Sequence, residues 1–134
     1  MRVVLDTNVL LQARAAGHAF HPILRAWFDG KIVLALSTEI LLEYEEVITE
    51  RTGLARWQML ARLLSVSPHV HHVAPTYRFH LVTHDPDDDK FTDCAIVAQA
   101  DYVITSDHHF CALIGSGYQP QPITPEEFIQ RHLT

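Results

Sequence analysis

The chain has 134 residues, 48% of them hydrophobic and 19% charged, and a net charge of −6 with neutral histidines. That composition supports a packed core and excludes a disordered or low-complexity chain. The acidic balance counts against nucleic-acid binding by bulk charge, and no apolar run approaches the roughly 20 residues of a membrane-spanning helix.

The first apolar run, Arg2 to Leu5, is short and rich in β-branched residues, so it reads as a buried strand. It ends on Asp6-Thr7-Asn8, any of which can cap a following helix from Val9 to about Ala16. The same N-terminal stretch lacks signal-peptide organisation. Its two cysteines, Cys94 and Cys111, have no metal-type spacing, so a reduced, cytoplasmic setting is expected. A second helix covers His21 to Asp29 and stops at Gly30. Lys31 to Leu36 is a second buried strand, and Ser37 caps a third helix running to about Thr52. Glu39, Glu43, Glu46 and Glu50 form a stripe on that helix, with Glu43 beside the apolar edge.

Leu54 to Leu64 is a fourth amphipathic helix, and Val70 to Val73 a short third strand. Alternation places His69 and His71 on one face of it and His72 on the other, which is not a ligand set. Arg51, Arg56 and Arg62 cluster around the junction of the third and fourth helices and are the candidate substrate-binding patch. Pro75 to Leu81 has no clear period. Asp85, Asp87 and Asp89 alternate like the start of a calcium loop, but Lys90 and Ile96 stand where that loop needs Gly and Glu. Asp87 or Asp88 is therefore an N-cap, for a helix reaching about Ala100 that carries Asp89 and Asp93 one turn apart. Tyr102 to Thr105 is the fourth strand, ended by Ser106-Asp107. His108 to Ile114 is a short helix whose two histidines are read as helix-start polar residues. Ile123 marks a last strand, and Pro125 opens the final helix.

Strands alternating with helices predict an α/β fold, a central mostly parallel sheet of four to five strands flanked by helices, and no linker or repeat divides residues 1–134, so one domain is expected. In such sheets sites form beyond the carboxyl ends of the strands. Asp6 and Asp107 end strands, Asp93 lies on the helix feeding the Asp107 strand, and Glu43 follows the second strand. Four acids from four places are expected to converge on one edge. Oxygen-only ligation selects Mg²⁺ or Mn²⁺, and such a site suits in-line attack on a phosphodiester. Asn8 can orient Asp6, and Thr105 and Ser106 can hold water or phosphate oxygens. A phosphohydrolase with Asp6 as nucleophile would want an acid two residues on, where Asn8 stands.

The chain resembles the PIN-domain ribonucleases. The resemblance is carried by Val3-Val4-Leu5-Asp6-Thr7-Asn8-Val9-Leu10, by Leu42-Glu43-Tyr44, by Asp85-Pro86-Asp87-Asp88-Asp89-Lys90-Phe91 leading to Asp93, and by Val103-Ile104-Thr105-Ser106-Asp107. The likeness is to the VapC-like toxin components of prokaryotic toxin–antitoxin systems. It implies a three-layer PIN fold and Mg²⁺- or Mn²⁺-dependent cleavage of RNA. Asp6, Glu43, Asp93 and Asp107 would be the catalytic acids and, with Asp89, the metal ligands. Relatives often carry Glu where this chain has Asp93. An antitoxin protein partner and a homodimer are implied as well. The alternative from the residues is a metal-stabilised RNA- or protein-binding module without turnover.

Overall fold

Val3, Val4 and Leu5 of strand β1 (Arg2–Leu5) are essentially without solvent contact, so the strand is covered on both faces, as a central parallel strand must be. In this computed structural model, which describes residues 1–81 and 88–134, the chain continues through α1 (Thr7–Ala13), α2 (His21–Phe28), β2 (Val33–Leu36), α3 (Thr38–Thr52), α4 (Leu54–Val66) and β3 (Val70–His72). Then follow α5 (Asp89–Val97), β4 (Tyr102–Ile104), a 3₁₀ helix (His108–Leu113), β5 (Gln121–Ile123) and α6 (Pro125–His132). The expected Asp85 and Asp87 lie outside the described residues.

The five strands form one sheet in the order β3-β2-β1-β4-β5, and every pairing is parallel. Helices flank it: α5 packs on β1, β2 and β4, and α3 on α1, α4 and α5. From β1 the chain winds outward through β2 to β3, then returns to the other side of β1 for β4 and β5. The direction reverses between β1 and β4, which is where open α/β sheets leave a crevice beyond their carboxyl ends. Pro122 lacks an N–H, and it sits in edge strand β5, where none is needed.

The sequence-derived boundaries move by a few residues. Helix α1 starts at Thr7, immediately after the extended Asp6, and ends three residues before the expected Ala16. Helix α5 ends at Val97, and Gln99 takes a positive φ of 54° on the way into β4. Ser37 caps α3 as expected, its hydroxyl accepting from Ile40 N–H at 3.3 Å. The core joins Trp27, Tyr44, Phe91, Phe110 and Phe128, all fully buried. Trp27 Nε1 donates to the His69 carbonyl at 3.1 Å, tying α2 to the start of β3. Among the described residues, no helix is long and apolar enough to cross a membrane.

Candidate active site

Register alone brings two of the acids to one place. Leu5 pairs with Ile104, so the next residues, Asp6 and Thr105, leave the sheet side by side. Asp6 N–H donates to the Ile104 carbonyl at 3.1 Å, and the Thr105 hydroxyl donates to Asp6 Oδ2 at 2.7 Å. The same hydroxyl oxygen accepts the Asp107 N–H at 3.0 Å. A hydroxyl has one proton to give and lone pairs to accept with, so Thr105 braces both strand-end acids at once. Asp6 stands at the N-cap position of α1, but its side chain makes no capping bond there. Its carboxylate is turned to the crevice instead.

Glu43 reaches the same crevice from α3. The Thr7 hydroxyl donates to its Oε2, and Lys90 Nζ lies 2.9 Å from its Oε1. The neighbouring Tyr44 is fully buried, and its hydroxyl donates to the Leu5 carbonyl at 2.5 Å, which locks this turn of α3 to the end of β1. Burial raises the pKa of Asp6, and the charges of Glu43 and Asp107 raise it further, against the Thr105 bond that lowers it. Asp6, Glu43 and Asp107 are thus one electrostatic group.

Asp93 and Asp89 form a second group on α5. Both are buried, Asp93 at 2% exposure and Asp89 at 6%. Asp93 Oδ1 accepts the Phe79 N–H at 3.1 Å, and His80 Nδ1 lies 3.7 Å from Asp89 Oδ2. Burial raises the Asp93 pKa, as does Asp89, while the Phe79 bond, Arg78 and His80 pull it down. Its other oxygen, Oδ2, is buried with no hydrogen-bond donor among the described residues. A buried carboxylate oxygen left so is costly unless something positive reaches it.

The remaining expectations divide. Asn8 is exposed, and the hydroxyl bonded to Asp6 is that of Thr105. Ser106 is exposed beside Asp107. Arg51, Arg56 and Arg62 are exposed on α3 and α4, and among the described residues no hydrogen bond or ion pair joins them to the acids. The cations beside the acids are Lys90 and Arg78, the latter forked onto Glu39 at 3.0 and 3.3 Å. Lys90 had a sequence signal: a lysine in the first turn of a helix opposes the helix dipole, so its charge is wanted by something else. Thr7 and Arg78 had none.

Asp6, Glu43 and Asp107 offer oxygen donors only, the donor type of a hard divalent cation, which would remove the repulsion that lifts Asp6, while no hydrogen bond or ion pair among the described residues joins Asp93 to them. The PIN domain family model matches residues 2–109. In shape the chain is similar to a chain of the crystal structure of VapBC2 from Rickettsia felis bound to a DNA fragment from their promoter. The TM-score is 0.63 and the identity 14%, over 92% of this chain and 98% of that one. No curated protein matches the sequence.

Proposed function

The chain belongs to the PIN-domain family, a family of nucleases, and from the acids beyond β1 and β4 we propose that it is a metal-dependent endoribonuclease. The observation that carries this reading is the Thr105 hydroxyl bracing Asp6 and Asp107, with Glu43 close enough to raise Asp6. Asp6, Glu43, Asp107 and Asp93 through its Oδ2 would hold Mg²⁺ or Mn²⁺, with Asp89 supporting Asp93. The cation when bound makes water easier to deprotonate and offsets charge on the phosphate. Thr105 keeps Asp6 oriented, Thr7 and Lys90 keep Glu43 oriented, and Lys90 supplies a positive charge at the edge of the crevice for a phosphate oxygen. Water attacks phosphorus in line with the leaving 3′ oxygen, so the RNA 2′-hydroxyl takes no part. The products carry 5′-phosphate and 3′-hydroxyl ends.

The VapC-like resemblance and the shared fold support a second element of the proposal: the protein acts as the toxin of a toxin–antitoxin pair, restrained by an antitoxin protein, and assembles as a homodimer. Cleavage is tested on a panel of RNAs with Mn²⁺ and Mg²⁺. EDTA should abolish it, and Asp6→Asn should lower the rate by more than about 100-fold, beyond the loss typical of groups one shell out from a metal. Cyclic-phosphate ends or undiminished activity in EDTA would refute the mechanism. RNA binding with no turnover on any substrate would instead favour a binding module.

A further inference from the structure

Asp107 is the one acid of the group with histidines in sequence, followed by His108 and His109, and the fold turns both rings back toward it. The Thr105 hydroxyl holds the Asp107 N–H, and Asp107 Oδ1 accepts the His109 N–H at 2.9 Å. That turn brings His109 Nδ1 to 3.4 Å from Asp107 Oδ1. The His108 and His109 rings stand with centroids 4.5 Å apart at 58°. One donor atom from each of the three residues lies within 4.8 Å of the others. Bonds of about 2.0–2.2 Å to a single ion put its ligand atoms roughly 3–4.4 Å apart, so small side-chain rotations suffice. His108 is exposed and His109 partly so, although His109 Nδ1 itself is buried.

We propose that Asp107, His108 and His109 form a mixed oxygen–nitrogen cation site at the rim of the acid cluster, one that takes a borderline divalent ion such as Mn²⁺ in preference to Mg²⁺. Imidazole nitrogen is a good ligand for borderline transition ions and a poor one for Mg²⁺, which keeps to oxygen. The inference rests on the metal-dependent reading of the same cluster but concerns which ion enters and by which atoms.

The test is binding of Mn²⁺ alone to the full chain, without RNA, read by pulsed EPR and by titration. Directly bound Mn²⁺ should show coupling to imidazole nitrogen in the unaltered protein. His108→Ala with His109→Ala should abolish that coupling and weaken Mn²⁺ binding by about tenfold or more, with little change in Mg²⁺ affinity measured by competition. Bound Mn²⁺ without nitrogen coupling in the unaltered protein, absence of Mn²⁺ binding, or equal losses for both ions would overturn the proposal. If nitrogen-coupled Mn²⁺ binds and no RNA is cut, the nuclease reading fails and this site stands.

Discussion

Asp6 and Asp93 are held under electrostatic strain by their surroundings. Burial is the main cause for both, reinforced at Asp6 by Glu43 and Asp107, and at Asp93 by Asp89. A carboxyl group whose folded pKa lies above its unfolded value of about 3.8 binds more protons in the folded state between those two values. Its contribution to stability is therefore greatest below the unfolded pKa and is lost as pH rises through the raised folded pKa. In EDTA, Asp6→Asn and Asp93→Asn should each melt higher than the unaltered protein at pH 7, with the gap closing toward pH 4. Thermal melts across that range check it, and variants melting lower at pH 7 would contradict the assignment. Cys94 shows the same cause without a functional use: burial, with Asp93 nearby, pushes its thiol up to about 12, so it is an inert core residue.

At the scale of elements, what matters is how one segment is pinned to another. Gly30 ends α2 with φ of +77°, and a Cβ there would meet His69 Nε2 at 2.8 Å. Gly30→Ala thus carries both a backbone cost and a collision at the entry to β3. It should lose about 1–3 kcal/mol in denaturant melts, and His69→Ala should remove the collision and leave about 1–2 kcal/mol of left-handed backbone cost. Equal losses in the two backgrounds would mean that the ring simply moves aside. Segment 74–81 is pinned in a different manner. Its Phe79 N–H binds Asp93, its Arg78 binds Glu39, and Phe79 stacks edge-on against Tyr77 and Tyr118. Nothing periodic in Pro75 to Leu81 signals this, because Asp93 and Glu39, which hold the segment, lie 14 and 39 positions away, and Tyr118 is likewise distant.

At the scale of the whole molecule, the reversal of strand order between β1 and β4 decides where the chemistry sits. A cation that binds the folded crevice, and not the unfolded chain, stabilises the fold by mass action, about 2.7 kcal/mol at 100 times its dissociation constant. Mn²⁺ should therefore raise the melting temperature of the unaltered protein, and Asp6→Asn should blunt that rise. An identical rise in both would place the bound ion away from β1. By itself the sequence determined the strands and helices, the parallel sheet, and the strand-end acids Asp6 and Asp107, because apolar periodicity and strand termini are properties of neighbouring residues. Tertiary structure alone decided that Thr105 braces both acids, that Lys90 and Thr7 hold Glu43, that Asp93 sits with Asp89 under Phe79, and that His108 and His109 turn toward Asp107. The first three join residues as far as 99 positions apart, set by register and packing that no local pattern encodes. The fourth joins neighbours, but their direction follows from the Thr105 anchor at the end of β4.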